Sequence, residues 1–315
     1  MLEKQPLMTP TYLQELPDRS RFIIGFLMLV VANMCFSTKA VIIKLMYIQH
    51  VNTFDVIALR MLLSAPVYVI VAIFLAAQKD NVPLTRKELL SVAGLGILSY
   101  YISSMLDFLG LQYISAGVER LILFTYPTLV LIISAFFFKK KITTPQYIAM
   151  ILTYIGVAIA FVAEKGFGEQ KNLMLGATLI GICALTYSLF VIGTGELTKR
   201  FGSVKFTCYA MLAATIPSLL QSWLYNGMNI FHFSPEVYTL SIWMAVVATV
   251  IPTFMIVEGI RLVGAGNSGI IGFVGPVWTI FLANWLLNEP ITVLQLVGTA
   301  IVLTGVFLIS WKGRN

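Results

Sequence analysis

Long apolar stretches separated by short polar loops run along almost the whole chain of 315 residues. A helix needs about 20 mostly apolar residues to cross the hydrocarbon core of a bilayer. By that criterion the sequence predicts ten membrane-spanning helices in two groups of five. The predicted spans are Phe22–Met46, Phe54–Ala76, Leu89–Gln112, Val118–Phe138 and Gln146–Ala163, then Leu173–Gly195, Val204–Leu224, Thr239–Leu262, Asn267–Leu287 and Val293–Trp311. The pattern is typical of an all-α integral membrane protein.

The composition excludes the main soluble classes. Apolar residues make up 58% of the chain and charged residues 11%, with a mean hydropathy of +0.89. A soluble domain is about 45–50% apolar and about 25% charged. A water-soluble enzyme, a nucleic-acid-binding protein and a disordered chain are therefore excluded. Because Cys35, Cys183 and Cys208 all lie inside apolar runs, their spacing indicates neither a disulfide framework nor a metal site, and we predict no cofactor.

The positions of lysine and arginine predict the orientation of the chain. When the ten spans are numbered, fifteen of the 21 basic residues fall on one side of the membrane and only Lys165 and Lys171 on the other. Cytoplasmic loops carry the excess of positive charge. We therefore expect cytoplasmic tails at 1–21 and 312–315 of a multi-pass protein in a bacterial inner membrane. The net charge of +7 is then an orientation signal that requires no nucleic-acid partner.

The two groups of spans are related by an internal repeat. At an offset of 149 residues, the third to fifth spans align without a gap with the eighth to tenth. Matched pairs include Gly110 with Gly259, Pro127 with Pro276, Gln146 with Gln295 and Gly156 with Gly305. Because each half has an odd number of spans, residues 22–164 and 173–311 are predicted to form two inverted five-helix repeats. Inverted repeats recur in secondary transporters, whose substrate site lies near the bilayer midplane between the halves.

Prolines and small residues occupy equivalent places in the two halves. Pro66 matches Pro217, and Pro127 matches Pro276, so each pair is predicted to be either a hinge for alternating access or a static bend. Gly156, Gly298 and Gly305 lie on the fifth and tenth spans. Small residues allow close helix packing, which leaves open a homodimer contact or packing within one chain.

Ionisable residues inside the spans are the leading functional candidates, because they are costly in a membrane. On the third span, Gly96, Tyr100, Ser103, Ser104 and Asp107 form one polar stripe that should face a cavity or another helix. The remaining charges fall in the same outer half of the bilayer and are Lys39, Arg60, Glu119 and Arg120. We predict that Asp107 and Glu119 neutralise two of the three cations. Both a structural ion-pair network and direct contact with a substrate or proton remain open.

Further candidates extend the predicted binding site. Ser37 and Lys39 lie on opposite faces of the first span, and only one of these faces can look into a cavity. Tyr126 and Trp278 are candidate aromatic walls, although ordinary packing explains them equally well. The predicted substrate-binding set is Ser37, Lys39, Arg60, Tyr100, Ser103, Ser104, Asp107, Glu119, Arg120, Tyr126, Tyr187 and Trp278, with Asp107 and Glu119 as candidates for proton coupling.

Local sequence blocks add a family resemblance across the chain from Phe22 to Trp311. These blocks are FSTKAVIIKL (Phe36–Leu45), IALRML around Arg60, SSMLDFLGLQYISAGVERLILFTYPT (Ser103–Thr128), RFGSVKFT (Arg200–Thr207) and IGFVGPVWTIFLANWLLNEPIT (Ile271–Thr292). Together with the two five-span halves, they resemble the EamA family of the drug/metabolite transporter superfamily. The resemblance implies an inner-membrane carrier, often an exporter, for amino acids or their derivatives, small metabolites or amphiphilic drugs.

The sequence therefore predicts a secondary transporter that exports a small polar or amphiphilic organic metabolite by alternating access. Protons are the candidate coupling ion, and Lys39 and Arg60 offer positive charge to a carboxylate-bearing substrate. An uptake carrier, a passive channel and a non-transporting membrane scaffold remain as alternatives. A membrane-embedded enzyme is not expected, because the chain has no HExxH motif and Asp107 with Glu119 would have to act alone. The expected partners are the small-molecule substrate and the lipid bilayer.

Overall fold

The computed structural model describes residues 18–78, 82–139, 142–164, 172–227, 229–263, 271–272 and 274–312. Within these ranges the regular structure is helical throughout, with no strand. Among the described residues, eight helices are long and apolar enough to cross a membrane. Two shorter apolar helices, Val274–Leu287 and Val293–Leu308, coincide with the last two predicted spans. Most of the predicted N-terminal tail, the predicted start of the ninth span at Asn267 and residues 313–315 lie outside the described ranges.

The first half interrupts two of its predicted spans. The third consists of α3, a π-helical segment and α4, and the fourth is broken between α5 and α6 at Phe124 and Thr125. The elements are α1 (Asp18–Ile48), α2 (Thr53–Ala76), α3 (Arg86–Gly96), the π segment π1 (Ile97–Ser103), α4 (Ser104–Gly110), α5 (Ala116–Leu123), α6 (Tyr126–Phe138) and α7 (Thr144–Glu164).

The second half repeats the rare π-helical segment of the first. Its elements are α8 (Leu173–Phe201), α9 (Ser203–Asn226), a short 3-10 turn (Asn229–Phe231), α10 (Pro235–Ala245), the π segment π2 (Val246–Val250), α11 (Ile251–Val263), α12 (Val274–Leu287) and α13 (Val293–Lys312). The first residues of π1 and π2, Ile97 and Val246, are 149 positions apart. Since π-helical turns are uncommon, their occurrence at the offset of the sequence repeat supports the relation between the halves.

Each half packs mainly against the other. Helix α1 packs on α11 and α12, whereas its second-half equivalent α8 packs on α4 and α6. Helix α2 packs on α9, and α7 packs on α13. Every one of these contacts has a counterpart with the halves exchanged, as a two-fold relation requires. Apart from the α2–α9 and α5–α12 crossings, which join them, the main contacts separate bundle A (α1, α2, α10–π2–α11 and α12) from bundle B (α3–π1–α4, α5–α6, α8 and α9), with the α7–α13 pair beside them.

Glycines allow the closest of these helix crossings. A Cβ atom on Gly156 of α7 would lie 2.6 Å from the carbonyl oxygen of Gly298 on α13. In the equivalent position, a Cβ atom on Gly305 would lie 2.6 Å from Oγ1 of Thr153. These glycines therefore pack within one chain, which answers the question that the sequence left open. A homodimer stays a prediction, and it would have to use other surfaces.

The four prolines occupy two different kinds of position. Pro66 lies inside α2 and Pro217 inside α9, where each removes a backbone donor from a continuous helix. Pro127 and Pro276 instead lie in the first turn of α6 and of α12, where a missing N–H group costs little. The expected bend within a helix thus applies to Pro66 and Pro217, whereas Pro127 follows a break in the fourth span.

Candidate functional site

Five charged side chains lie together between the two bundles. None of Lys39, Arg60, Asp107, Glu119 and Arg120 is more than 6% exposed. Bundle A supplies Lys39 from α1 and Arg60 from α2, and bundle B supplies the other three from α4 and α5. Ionisable groups at this depth are retained in membrane proteins mainly for function. We call these five residues the charge cluster and treat it as the candidate site.

Two ion pairs form within the charge cluster. Lys39 Nζ lies 2.5 Å from Asp107 Oδ2, and Arg120 Nε lies 3.9 Å from Glu119 Oε2. The prediction that two carboxylates neutralise two of the three cations is confirmed. Arg120 is held further by bundle A, because its Nη2 donates to the carbonyl oxygen of Phe36 at 3.0 Å.

Arg60 is the cation that has no carboxylate partner among the described residues. Its Nε donates to Thr249 Oγ1 and its Nη1 to Ser104 Oγ, both at 3.1 Å. These acceptors are neutral hydroxyl groups, one in π2 and one immediately after π1. With both carboxyl groups ionised, three cations and two carboxylates leave the charge cluster with a net charge of +1.

The two carboxyl groups of the charge cluster face each other. Glu119 Oε1, Glu119 Oε2 and Asp107 Oδ1 are buried without a hydrogen-bond donor among the described residues. The Asp107 and Glu119 side chains lie within hydrogen-bonding reach of each other. A single proton held between two carboxyl groups relieves their repulsion and supplies the missing donor. Two buried carboxyl groups in this arrangement can share one proton.

Two phenylalanine rings separate the three cations. Lys39 Nζ lies 5.4 Å from the centroid of the Phe36 ring and 5.6 Å from that of Phe108. The guanidinium carbons of Arg120 and Arg60 lie 5.2 Å from Phe36 and 5.8 Å from Phe108, respectively. Each ring thus contacts two cations and is attracted to both. The sequence analysis missed these rings, although Phe36 lies one helical turn before Lys39 and Phe108 adjoins Asp107.

The other predicted candidates on α1 and π1 are distributed over several helices. Ser37 is buried where α1 meets α12, because Thr279 Oγ1 donates to its carbonyl oxygen at 3.3 Å. The side chain of Lys39 therefore belongs to the charge cluster, whereas Ser37 is linked to it only through Thr279, whose Oγ1 accepts a 3.4 Å hydrogen bond from Arg120 Nε. Ser103 shares a 2.5 Å hydrogen bond with Thr186 of α8, which joins two helices of bundle B.

Three of the predicted aromatic residues form one half-buried row in bundle B. The ring centroids of Tyr126 and Tyr187 are 5.1 Å apart, and those of Tyr187 and Phe190 are 5.9 Å apart. Tyr100 joins the row at 5.5 Å from Phe190. Trp278 lies in bundle A instead, stacked 5.5 Å from Phe281. The structure therefore brings the tyrosines together and leaves the tryptophan on the other bundle.

Hydrogen bonds between the bundles continue from the charge cluster to one end of the molecule, where His50 lies between α1 and α2. We call it the His50 end, and the opposite end, where α3 begins, the Arg86 end. The bonds run from Tyr47 to the carbonyl oxygen of Phe108 (2.7 Å), from Gln112 to Thr53 (2.7 Å), and from Ser222 and Asn226 to Asp55 (2.6 and 2.8 Å). At the Arg86 end, Glu88 pairs with Arg200 within bundle B.

Glu289, in the loop after α12, also joins the bundles at the His50 end. Its Oε1 lies 2.8 Å from Lys44 Nζ of α1, and its Oε2 accepts a 3.1 Å hydrogen bond from the backbone N–H of Ala116. Ala116 opens α5, where the helix dipole favours a carboxylate. A cavity of about 570 Å³ lies beside this contact and is lined in part by Tyr47 and Gln112. Among the described residues, no group of three His, Cys, Asp or Glu side chains is placed to hold a metal ion.

Comparison with known proteins agrees with this architecture. The sequence pattern of the EamA-like transporter family matches residues 23–162 and 174–311, one match for each half. The uncharacterized transporter YcbK of Bacillus subtilis is 29% identical over 290 residues, which cover 90% of this chain and 91% of YcbK. The uncharacterized transporter sll1319 of Synechocystis is 22% identical over 92% of this chain and 94% of its own.

The fold is also known from crystallography. One protein crystal structure superposes with a TM-score of 0.63 at 16% identity, and the match covers 94% of this chain and 98% of that one. At this identity the likeness shows the fold alone. The family match spans both halves of the chain and confirms the resemblance that the sequence blocks indicated. The chain belongs to the EamA-like transporter family.

Proposed function

We propose that this protein is a secondary transporter that moves a small polar or amphiphilic organic metabolite by rocking bundle A against bundle B. The observation that carries this proposal is the position of the charge cluster. The ion pair of Lys39 with Asp107 and the bond from Arg60 to Ser104 both run between the bundles. Any motion that separates the bundles must break these bonds, and a charged solute that enters between them can replace them.

In the proposed arrangement, ten helices cross a bacterial inner membrane as two inverted repeats, with α12 and α13 as the last two crossings. The excess of lysine and arginine supports cytoplasmic termini, which would put the His50 end outside. The bonds between bundles that run to the His50 end support a closed outer side. Reporter fusions at the two termini test this orientation. Termini in different compartments would contradict it.

Export coupled to an inward proton flow is the proposed direction. The facing carboxyl groups of Asp107 and Glu119 support it, since they can share one proton.

Flux through proteoliposomes tests the proposal. The substrate is first identified by untargeted metabolite comparison of deletion and overexpressing cells. We expect Asp107→Asn to lower proton-driven flux of that compound by at least about tenfold, the loss typical of a missing group in proton transfer. Glu236→Gln, on the exposed first turn of α10, is the matched control and should leave flux unchanged. Unchanged flux with unchanged pH dependence in Asp107→Asn would remove Asp107 from the mechanism.

Further transport assays separate the alternatives. Counterflow measured from the two faces of right-side-out vesicles distinguishes export from uptake, since one fold supports both directions. A carrier is expected to exchange labelled for unlabelled substrate at a rate that saturates and rises when substrate is present on the opposite side. A passive channel lets the label equilibrate without either property. Absence of flux for every candidate compound would favour a non-transporting scaffold.

A further inference from the structure

The charge cluster contains one positive charge more than its own carboxylates can balance. Arg60 is 4% exposed, and among the described residues only hydroxyl groups accept its hydrogen bonds. A buried charge without a counter-charge is strongly unfavourable. We propose that Arg60 binds the carboxylate of an organic anion, so that the substrate itself supplies the missing negative charge. This inference rests on the proposed carrier function and names the chemical class of its substrate.

The guanidinium group of Arg60 has donors left for such a ligand. Arginine carries five N–H donors, which match a carboxylate in a two-bond geometry. The bond to Thr249 uses Nε and the bond to Ser104 uses one N–H of Nη1. No hydrogen bond to a described residue uses Nη2. One edge of the group, with Nη2 and the second N–H of Nη1, therefore remains for a carboxylate.

None of the described groups that face Arg60 is free to act as its counter-charge, so a ligand can do so. They are Tyr68 of α2, Tyr100 of π1 and Asp107 of α4. The two tyrosines are neutral hydroxyl donors and acceptors. Asp107, the one carboxylate among the three, is already held by Lys39 at 2.5 Å. Phe108 covers one face of the guanidinium group and attracts it without adding negative charge.

The two π-helical segments fix the orientation of Arg60. Thr249 lies in π2, and its hydroxyl donates to the carbonyl oxygen of Met244, five residues earlier. Thr249 Oγ1 also accepts the hydrogen bond from Arg60 Nε, so the wide turn of π2 positions this oxygen next to the arginine. Ser104, directly after π1, holds Arg60 from the other bundle. Because π-helical turns occur frequently at functional sites, their convergence on one cation supports ligand binding there.

The repeat argues against a purely structural role for Arg60. At the offset of 151 residues that matches Pro66 with Pro217, Arg60 corresponds to Met211. Met211 is buried in the equivalent place on α9, at 1% exposure. The same helix crossing is thus built with a neutral side chain in the second half. The arginine supplies a charge that this crossing does not require.

A ligand panel on the purified full-length protein tests the inference through thermal unfolding. The carboxylate probes are hexanoate, benzoate and succinate, and the size-matched controls are hexanamide, benzamide and benzylamine. Sodium chloride measures the effect of an inorganic anion. A ligand that binds only the folded state raises the unfolding temperature. We expect at least one carboxylate to do so at constant ionic strength, with no shift from its amide or amine counterpart.

Variants assign the binding to Arg60. Arg60→Gln should weaken carboxylate binding by at least about thirtyfold, and Arg60→Lys, which keeps the charge, should retain part of the affinity. Lys87→Gln removes an exposed cation at the Arg86 end and should leave the affinity unchanged. If Arg60→Gln fails to fold, the ligand panel on the wild-type protein and the carboxylate affinity of Arg60→Lys still test whether Arg60 binds a carboxylate.

Several results would overturn the inference. These are an equal shift from chloride, binding of the amides or amines but of no carboxylate, no binding of any carboxylate, and unchanged affinity in Arg60→Gln. The carrier proposal fails separately. Saturable exchange of a neutral or cationic compound, with Arg60→Gln fully active, would keep the carrier and remove the anion site. Carboxylate binding that needs Arg60, without exchange of any compound, would keep the site and remove the carrier.

Discussion

The ion pair of Lys39 with Asp107 yields a quantitative prediction about stability. At 2.5 Å between Nζ and Oδ2, an effective dielectric constant of about 20 gives an attraction of about 7 kcal/mol before desolvation is counted. Asp107→Asn leaves the Lys39 ammonium group buried beside a neutral amide. Loss of one partner of a buried pair costs about 3–5 kcal/mol of unfolding free energy. We expect a loss in that range for Asp107→Asn.

A double-mutant cycle separates the pair from the other effects of each substitution. Lys39→Met keeps an unbranched side chain and removes the charge, and the double variant leaves neither charge unpaired. We expect the double variant to be more stable than the sum of the single losses implies, by about 2–3 kcal/mol. Denaturant titration in detergent micelles, followed by tryptophan fluorescence, measures all four free energies of unfolding.

The exposed ion pair of Glu88 with Arg200 is the control for this cycle. Arg200 is half-exposed, so solvent screens the pair and the corresponding cycle should show no measurable coupling. The claim that the two charges stabilise each other would be refuted if the double variant lost the sum of the two single losses to within about 0.5 kcal/mol. The transport defect expected for Asp107→Asn would then have to be explained without the ion pair.

Two further predictions concern the packing and the His50 end. Gly156→Ala should lower the free energy of unfolding by about 1–3 kcal/mol, because its Cβ atom would lie 2.6 Å from the carbonyl oxygen of Gly298. Gly181→Ala, with no atom within 4 Å of its Cβ position, should be neutral or slightly stabilising, and equal losses in both would contradict the packing account. Glu289→Gln should weaken the contacts with Lys44 and Ala116. Leu111→Cys, in a background without the native cysteines, should then react faster with a membrane-impermeant maleimide, and an unchanged rate would mean that Glu289 does not hold this end closed.

The sequence alone predicted the features that depend on composition and chain order. Hydropathy located the spans, and the matched glycines and prolines gave the register at which π1 and π2 recur. The ion pairs were predictable because two carboxylates and three cations fell at one depth of the bilayer. Which atoms pair was not predictable, since it depends on crossings between helices that are far apart in sequence.

The predicted polar stripe on the third span illustrates the limit of a regular helical period. The sequence placed Gly96, Ser103, Ser104 and Asp107 on one face of a regular helix. In the structure, Gly96 packs on Ala210 of α9, Ser103 bonds to α8, Ser104 to α2 and Asp107 to α1. The widened turn of π1 interrupts the regular α-helical spacing of these residues, and no residue pattern in the sequence predicts this turn.

Asp55 was missed for a different reason. It stands in the first turn of α2, where an acidic residue is an ordinary helix-start signal. Its partners Ser222 and Asn226 are 167 and 171 residues away along the chain. Only the packing of α2 on α9 brings these groups together, and that packing depends on how the two halves interlock.

The paired wide turns also determine the phase of the residues that follow them. An α-helix turns by about 100° with each residue, so one residue gained or lost rotates everything beyond it by more than a quarter of a circle. Deleting a single residue within Ile97–Ser103 would swing the carboxylate of Asp107 away from α1 while leaving the apolar length of the span almost unchanged. Each half of the chain thus contains, at the same position, a change in helix rotation that cannot be detected from hydropathy.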